Sequence, residues 1–493
     1  MSQYRIMQSL YTYSAFHSSM GPGNIACQVL SSTFNNVTIQ PGDAEYLALT
    51  TENWSQTAWA SPDCVFRPNT VEELQTAVPI LVEANASFAI RSGGHMPVAG
   101  AANIDDGVLV DMSRFGSTQY DAEKGVVTIG AGQRWGDVYP ELDPHRVTIV
   151  GGRVLSAGVG GLILGCGLSY LSDLYGMVCD NVVDYEVVLA DGSVVNANAE
   201  SMPDLYWALK GGSNNFGIVT AFTLRTYDIF DIWGGTRVYP FEALAHVLDA
   251  LAEFQADPQK DPYAQFNMNA YVTNTTYGVV LAMVYLKPEE SPAAFAPFYR
   301  IEETWKPLMD TTALRTLHNL LAEYPIPSIP RIEWTTTSFK PTKSMYASIK
   351  QIFDQSTAVT QLKSITAGTG IFTLQGVSPG AVEQGKLRGG NALGLEPVAQ
   401  TWFHTDMGWW FPEDDDASHS AIRSLTDEVE AAAKDQDVYL PYLFMNDASA
   451  GQDVIKHYGM DNWRKLKEVQ WKYDPRAVFQ RLVPGGFKLG HGD

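Results

Sequence analysis

The spacing of apolar residues predicts a helix followed by a series of strands in the first part of the chain. A helix is predicted over residues 71–85, behind the polar stretch RPNT, because apolar side chains recur there at helical intervals. These positions are Val71, Leu74, Val78, Leu81 and Val82. The run FAIR follows the helix, and GVLVDM, GVVTIGAG and VVDYEVVLADGSVVNA have the β-branched composition of strands.

Three further patterns complete this part of the chain. Asp191 and Gly192 form a typical hairpin turn inside the last of those segments. PDLYWALKGG predicts a short helix ended by glycine, and FGIVTAFTLRTY predicts another strand. Residues 1–226 are therefore expected to form an α+β domain with a glycine-rich interior.

From about residue 227 the pattern changes. FEALAHVLDALAEFQAD is an amphipathic helix, and QFNMNAYVTNTTYGVVLAMVYL alternates as two half-buried strands of a hairpin do. VAQTWFHTDMGWWF predicts a further strand before an acidic loop, PEDDDAS, and another helix. Residues 227–437 are expected to form an antiparallel sheet with helices on one face. Glycine returns in YDPRAVFQRLVPGGFKL, so residues 438–493 are expected to rejoin the first domain.

Composition supports a folded protein of two domains and argues against a nucleic-acid partner. The chain has 493 residues, 45% of them apolar and 18% charged, which suits two globular cores. Its formal charge of −22 disfavours a broad phosphate-binding surface. A P-loop motif does not occur, and the dinucleotide fingerprint fails at Ile163, where its last glycine belongs. GVSPG resembles a nucleophile elbow, but Pro379 lacks the N–H that would serve as oxyanion donor, so an ordinary turn is expected.

Several features bear on the location of the protein. Residues 154–172 are uncharged, but their glycines and serines favour a buried, loop-rich segment over a membrane span. The N-terminal MSQYRIMQSLYTYSAF shows no signal peptide. Sequons at four asparagines nevertheless suggest a secreted glycoprotein: Asn36, Asn53, Asn85 and Asn274.

The four cysteines leave the redox compartment open. Cys27 and Cys64 flank the N-terminal segment and are candidates for one disulfide, whereas Cys166 and Cys179 are expected to be buried thiols. Four free thiols in a cytosolic protein are an equally good interpretation. Their spacing matches no metal site, and no metal is expected.

The stretch IRSGGHMPVAG, residues 90–100, is the first candidate for chemistry. Glycine pairs allow the backbone to approach a ligand closely, and successive N–H groups suit phosphate oxygens. A second glycine-rich run at residues 158–167 strengthens the case for a phosphate-bearing ligand. His95 lies in the middle of the first loop, where a lone histidine is more often structural than functional.

A longer set of motifs gives the chain a family resemblance. RSGGHMPVAG, then GVGGLILGCGLSYLSDLYGMVCDNVVDYEVVLADGSVV, DLYWALKGGSNNFGIVTAFTLR and the closing YDPRAVFQ resemble the berberine bridge enzyme-like FAD-linked oxidases of the vanillyl alcohol oxidase superfamily. The resemblance covers nearly the whole chain and is weaker through residues 230–435. It implies a two-domain α+β flavoprotein with a discontinuous FAD-binding domain of the PCMH type, residues 1–226 and 438–493. Residues 227–437 would be an inserted substrate domain.

The resemblance implies a single covalent bond between the protein and FAD. In the family, the histidine of the RxGGH loop is bonded to the flavin 8α-methyl, and this histidine corresponds to His95. Many members have a second link through a cysteine, but Val154 occupies that position here. Further FAD contacts implied by the matching stretches are Arg91, Ser92, Gly93, Gly94, Met96, Gly100, Gly158, Gly160, Gly161, Asp180, Asn181, Gly217, Ile218 and Asn446.

The expected reaction is a two-electron oxidation with hydride transfer to the flavin. The resemblance implies an alcohol or related C–H donor from a small organic metabolite or sugar, with O2 reduced to H2O2. One alternative couples the oxidation to a cyclisation, and another is a flavin-binding protein without turnover. Partners beyond the small-molecule substrate and O2 are not expected, and the oligomeric state is open.

The catalytic base is left open because this chain departs from the family. The family's YxNYxD-like segment matches FMND here, so both tyrosines are replaced. Asp447, His404 and Tyr442 are candidate bases, with Asn446 beside them. Each has a structural alternative: Asp447 as a loop cap, His404 as a surface strand residue and Tyr442 as packing.

Overall fold

The computed structural model describes residues 20–323 and 329–490. The N-terminal stretch in which no signal peptide was recognised lies outside these ranges. The helices are α1 (Pro22–Thr33), α2 (Tyr46–Thr50), α3 (Val71–Glu83), α4 (Trp135–Leu142), α5 (Val159–Leu164), α6 (Ser172–Tyr175), α7 (Pro203–Leu209), α8 (Leu244–Ala256), α9 (Ala296–Tyr299), α10 (Leu317–Ala322), α11 (Lys343–Gln355), α12 (Thr357–Ser364), α13 (Pro379–Leu387), α14 (Asp415–Asp435), α15 (Met460–Tyr473) and α16 (Val478–Arg481).

The strands separate into three sheets. They are β1 (Thr38–Ile39), β2 (Cys64–Phe66), β3 (Phe88–Arg91), β4 (Val108–Asp111), β5 (Thr118–Asp121), β6 (Val126–Gly130), β7 (Thr148–Ile149), β8 (Val182–Val188), β9 (Val194–Asn198), β10 (Ile218–Tyr227), β11 (Asp231–Pro240), β12 (Ala264–Thr273), β13 (Tyr277–Tyr285), β14 (Met309–Asp310), β15 (Ala313–Thr316), β16 (Arg331–Phe339), β17 (Thr369–Val377), β18 (Gln400–Trp409) and β19 (Tyr439–Leu440). Short 3-10 turns include Val178–Asn181, Pro412–Asp414 and Met445–Asp447.

The first two sheets are formed by the chain up to residue 227. One has the order β1-β2-β4-β3, in which β2, β4 and β3 are parallel. The other has the order β5-β6-β10-β8-β9, with β7 beside β10, and its pairs are antiparallel. The predicted helix α3 begins after Thr70, whose side chain accepts from the Glu73 N–H. The predicted turn at Gly192 joins β8 to β9.

The third sheet has the antiparallel pairing that the sequence predicts for the chain after residue 227. Its order is β14-β11-β13-β12-β17-β18-β16-β19, with β15 beside β11, and its pairs are antiparallel. Helices α8, α11, α12 and α14 pack on one face through a common apolar core. The α+β class predicted from the sequence is confirmed.

The end of the chain returns to the first sheet. Val478 and Phe479 of α16 are buried in the same apolar core as Phe88 of β3. The backbone N–H of Phe88 donates to the carbonyl of Leu482 at 2.7 Å. Packing of α16 therefore fixes the strand that leads into the first glycine loop.

Three local predictions are corrected by the structure. The acidic stretch PEDDDAS is mostly helical, since α14 begins at Asp415 and acidic groups are favourable in a first helical turn. GVSPG is the end of β17 and the start of α13 rather than an isolated turn: Ser378 accepts from the Ala381 N–H, and Pro379 occupies the first turn. Cys166 and Cys179 are paired as a disulfide rather than two thiols, and Cys27 pairs with Cys64.

Candidate active site

A cavity of about 1010 Å³ is lined by the two glycine-rich runs and by one face of the third sheet. Its first wall contains the predicted cofactor residues Ser92, Gly93, Gly94, His95, Met96, Gly158, Gly160, Gly161, Gly217, Ile218 and Asn446. Its second wall contains His404, Asp406 and Asp447. The fold thus brings most of the predicted site residues to one place.

The two glycine-rich runs contact each other at the cavity. Gly93 and Gly158 lie so close that a Cβ on either residue would collide with the backbone of the other. Ser92 joins the runs, because its hydroxyl donates to the Ala131 carbonyl at 2.6 Å and accepts from the Gly160 N–H at 3.2 Å. The glycine spacing therefore produces a rigid cavity wall made largely of backbone.

This wall carries backbone donors that suit an anionic cofactor. Within residues 20–323 and 329–490, no protein group accepts a hydrogen bond from the backbone N–H groups of Gly93, Gly94, His95 or Met96. Buried N–H groups are normally paired, so a row of unpaired donors indicates a place for ligand oxygens. The arrangement fits the pyrophosphate of FAD.

His95 packs against an aromatic cluster in which the Trp54 and Trp334 ring centroids are 5.6 Å apart. Its imidazole stacks on the Trp54 indole, with ring centroids 4.2 Å apart and planes 14° apart, and Trp334 lies on the cavity side at 6.4 Å. Ser156 Oγ is 3.3 Å from His95 Nε2. Burial, with a smaller contribution from the Arg134 cation, lowers the pKa of His95 from 6.5 to about 4. The imidazole is therefore neutral at neutral pH and keeps a nitrogen lone pair.

Four of the predicted cofactor residues do not line the cavity: Arg91, Gly100, Asp180 and Asn181. Arg91 is buried and donates to Asp111 and to the Leu49 carbonyl, so it anchors β3 from behind. Asp180 accepts from the Met177 N–H at 2.8 Å, and Asn181 donates to the Met177 carbonyl at 2.8 Å. These bonds stabilise the turn before β8 instead of facing the cavity.

The second wall is built from side chains of neighbouring strands in register. Asn269 of β12 pairs with Thr373 of β17, which pairs with His404 of β18. Alternate residues of a strand face the same side of a sheet, so this row lies opposite the face that carries the helices. Thr373 Oγ1 donates to Asn269 Oδ1 at 2.6 Å. The polar half of an alternating strand pattern, which usually faces solvent, faces a cavity here.

His404 lies between two carboxylates. Its Nδ1 is 3.0 Å from Asp406 Oδ1, and its Nε2 is 3.8 Å from Asp447 Oδ2. Burial opposes a charge on His404, but Asp406 and Asp447 outweigh burial and raise the pKa of the imidazole from 6.5 to about 9. Burial also raises the pKa of Asp447, while the His404 charge opposes that shift.

Asp447 is also connected to the Arg153 cation through the buried side chain of Gln375. Gln375 Nε2 donates to Asp447 Oδ2 at 2.9 Å, and Arg153 donates to Gln375 Oε1. A carboxylate held in place by a neutral amide keeps its capacity to accept a proton. The chain Arg153–Gln375–Asp447–His404–Asp406 is the main polar network of this wall.

The other two catalytic candidates have different surroundings. Tyr442 is buried between Trp402 and Tyr458, with ring centroids 4.8 Å and 5.9 Å away, and it does not line the cavity. Its hydroxyl has no hydrogen-bond partner among the described residues, which fits a packing residue. Asn446 lines the cavity and accepts from the Gly167 N–H at 3.2 Å, so it joins the FMND segment to the second glycine run.

Sequence reasoning missed four residues of this site: Trp54, Trp334, Arg153 and Gln375. Of these four, only Gln375 could have been found from the sequence. Its strand β17 alternates polar and apolar positions, as does the neighbouring strand β12. Trp54, Trp334 and Arg153 are single residues in stretches without a motif. Only the fold shows that Trp54 and Trp334 lie beside His95.

In the described part of the chain, no group of three or more His, Cys, Asp or Glu side chains is arranged to hold a metal ion. Among the same residues, no helix has the length and apolar character needed to cross a bilayer.

Comparison with known proteins agrees with the site geometry. Residues 62–198 match the family model of an FAD binding domain. The bifunctional solanapyrone synthase of Alternaria solani is 36% identical over 471 residues, which are 95% of this chain and 90% of that protein. An FAD-dependent monooxygenase of Penicillium roqueforti is 36% identical and covers 94% of this chain and 93% of its own length.

Solved structures show the same fold at low sequence identity. Glucooligosaccharide oxidase from Acremonium strictum superposes with a TM-score of 0.78 at 17% identity, over 95% of this chain and 100% of that chain. A berberine bridge enzyme-like protein of Physcomitrella patens gives a TM-score of 0.74 at 19% identity, over 94% of this chain and 100% of that chain. The chain therefore has the fold of the berberine bridge enzyme-like proteins, and its relatives of 36% identity show that it belongs to a family of FAD-dependent oxidoreductases.

Proposed function

We propose that the protein is an oxidase that removes two electrons from an alcohol or related C–H donor and passes them to O2, giving H2O2. The substrate is a small organic metabolite or a sugar. The observation that carries the proposal is the cavity itself, which has unpaired backbone donors beside His95 on one wall and the His404–Asp447 pair on the other.

FAD supplies the two-electron acceptor when it is bound. Gly93, Gly94 and the N–H groups that follow them would hold its phosphates, and Gly158 and Gly161 would allow it to approach the second run. A neutral His95 has the free ring nitrogen that a bond to the flavin requires. Val154 has no thiol, so the attachment would be single. In this proposal, residues 1–226 and 438–493 form the FAD-binding domain, and residues 227–437 form the substrate domain.

Asp447 is the group best suited to accept a proton from the substrate. It lines the cavity, and burial raises its pKa, so its carboxylate is a stronger base than an exposed one. His404 is less suited because its pKa of about 9 keeps it protonated at neutral pH. Asp406 and Arg153 carry the other charges near the pair, and Arg153 is separated from Asp447 by the amide of Gln375.

We also propose that the protein is secreted and glycosylated. The Cys27–Cys64 disulfide is typical of an oxidising compartment. Asn36, Asn85 and Asn274 are exposed and accessible to glycosylation. Asn53 is only 3% exposed and accepts from Arg91, so its sequon is excluded as a site in the folded protein. Treatment with an N-glycosidase should lower the mass of the secreted protein, and an unchanged mass would contradict glycosylation.

The function is tested in two stages with the purified protein. Acid precipitation should leave yellow, fluorescent flavin in the washed pellet, and flavin only in the supernatant would contradict the His95 bond. Anaerobic addition of alcohols and sugars should then bleach the flavin, and air should restore its colour. Bleaching by none of the compounds would favour a flavin-binding protein without turnover.

Oxygen stoichiometry separates an oxidase from a monooxygenase, the description carried by several relatives. An oxidase releases one H2O2 for each O2 consumed, and the product lacks oxygen atoms from O2. A product that contains 18O from labelled O2 would contradict the proposal.

A second candidate adds another reaction after the oxidation, namely a cyclisation. It is favoured by the relative in Alternaria solani, whose name describes a bifunctional synthase. In that case the product would have the mass of the oxidised substrate but one more ring in its NMR spectrum.

A further inference from the structure

The side chains of His404 and Asp447 approach each other in the cavity without forming a hydrogen bond. The distance of 3.8 Å between Nε2 and Oδ2 is too long for a hydrogen bond, and both residues line the cavity. Their other bonds do not close the gap, since Asp406 binds the opposite ring nitrogen and Gln375 approaches Asp447 from its own strand. A donor and an acceptor therefore face the same small space.

Asp406 determines which proton of the imidazole faces that space. With Nδ1 3.0 Å from its carboxylate, the Nδ1 proton is directed away from Asp447. The charged groups around His404 are Asp406 on its own strand, Asp447 on the Met445–Asp447 turn and Arg153 on the loop before α5. Thr336 and Thr373, its register partners on both sides, are neutral. The two carboxylates outweigh burial and the Arg153 charge, so His404 is an imidazolium with a second N–H at Nε2.

We propose that a hydroxyl of the substrate lies on the cavity side of this pair, accepting from His404 Nε2 and donating to Asp447, so that the electron donor is an alcohol and Asp406 is a positioning residue for His404. This inference rests on the proposed oxidase function and makes it more specific. A protonated amine lacks a lone pair that could accept a hydrogen bond from His404, so the site favours an alcohol over a protonated amine.

The step balances as an alcohol oxidation. The O–H bond breaks and its proton goes to Asp447, while the oxygen keeps that electron pair and forms the C=O bond. The C–H bond breaks with its two electrons, for which FAD is the oxidant. The hydrogen bond from His404 stabilises the negative charge that develops on oxygen before the carbonyl is complete.

An NMR titration of the holoenzyme tests the positioning role without substrate. In protein with 13C-labelled histidine, we expect His404 to stay protonated well above pH 8. Asp406→Asn should lower its midpoint by at least about one pH unit, and Asp249→Asn, which removes an exposed carboxylate on α8, should leave it unchanged. If Asp406→Asn does not fold, Asp447→Asn should give a similar downward shift. A His404 that is neutral at pH 7 in the unmodified protein would overturn the inference.

A pair of probes tests the bridging hydroxyl. Cyclohexanol should shift the His404 resonance at pH 7, and cyclohexylamine, protonated at that pH, should not. No shift with the alcohol, or an equal shift with the amine, would overturn the proposal. These readings do not depend on turnover, so a protein that shows them but bleaches with no alcohol would refute only the oxidase function.

With a turning-over alcohol, the pH profile gives a third reading. The donor on His404 is present below its pKa and is lost as the pH rises through about 9, so kcat/KM should fall on that alkaline limb. Asp406→Asn should move the limb to lower pH and reduce kcat/KM at pH 8.5 at least about threefold, with a small change at pH 6.5. A purely structural role would lower kcat/KM equally at both pH values and would overturn the assignment.

Discussion

Two histidines on opposite walls of one cavity have opposite electrostatic surroundings. His95 is stacked on Trp54 near a cation, and its pKa falls to about 4. His404 lies between Asp406 and Asp447, and its pKa rises to about 9. Burial disfavours the charge on both rings, so the difference comes from the neighbouring charges. The same side chain is thus neutral on one wall and charged on the other.

The walls themselves are built in different ways. The His95 wall presents backbone N–H groups from two glycine runs, whereas the His404 wall presents side chains from neighbouring strands. A backbone wall tolerates little change of shape because glycines are required where the runs touch. A side-chain wall can change its chemistry by single substitutions without altering the sheet.

The largest expected effect comes from removing the histidine of the backbone wall. His95→Ala should abolish acid-stable flavin while the protein still binds FAD reversibly, because the N–H groups of Gly93 and Gly94 remain. Flavin fluorescence of denatured protein on a gel measures the covalent fraction. His246→Ala, an exposed histidine on α8, should retain it fully. Covalent flavin in the His95 variant would place the link elsewhere.

The next largest effect is expected from the ion pair that holds β3, the strand leading into the first glycine-rich loop. Asp111 and Arg91 form a buried ion pair, with 0% and 2% of their side chains exposed. Asp111→Asn leaves the Arg91 charge poorly compensated and should cost about 3–5 kcal/mol of stability. The thermal unfolding midpoint of the variant checks this. Asp121→Asn, which breaks an exposed pair with Lys124, should leave the midpoint almost unchanged because water and salt screen such pairs. Equal effects of the two variants would contradict the support role.

A smaller effect is expected from the ring that orients His95. Trp54→Leu removes the stacked indole, and the imidazole gains rotational freedom, so formation of the covalent bond should slow several-fold while FAD still binds. The time course of acid-stable flavin after FAD is added to apoprotein measures this rate. Trp59→Leu, which changes a tryptophan 41% exposed on the same segment, is the matched control. Equal rates in both variants would show that stacking has no role.

The smallest effect is expected at Asn269, which lies on the His404 wall but two strands away from His404. Asn269→Ala removes the acceptor of the Thr373 hydroxyl and one polar group of the cavity, so KM should rise about two- to tenfold with kcat nearly unchanged. Steady-state kinetics with the first alcohol found to bleach the flavin give both constants. Asn274→Ala, in the exposed turn of the same hairpin, should alter neither. A large fall in kcat would contradict this prediction and would mean that Asn269 lies near the reacting atoms.

Much of the fold and one wall of the site could be predicted from the sequence. The hairpin turn at Gly192, the change to an antiparallel sheet after residue 227 and the cavity position of Gly93, His95 and Gly158 follow from local patterns. Local patterns suffice because turns, strand alternation and glycine loops are properties of neighbouring residues. The Cys166–Cys179 pair was missed, since spacing alone does not reveal which cysteines the fold brings together.

The sequence by itself therefore determined the fold class, the family and the backbone loop around His95. Only the tertiary structure decided that His404 lies between Asp406 and Asp447, that Trp54 covers His95, and that Arg91 and Asp180 face away from the cavity. These outcomes depend on strand register and on packing between segments up to several hundred residues apart. The charge of a buried side chain depends on those distant neighbours, and no local pattern contains them.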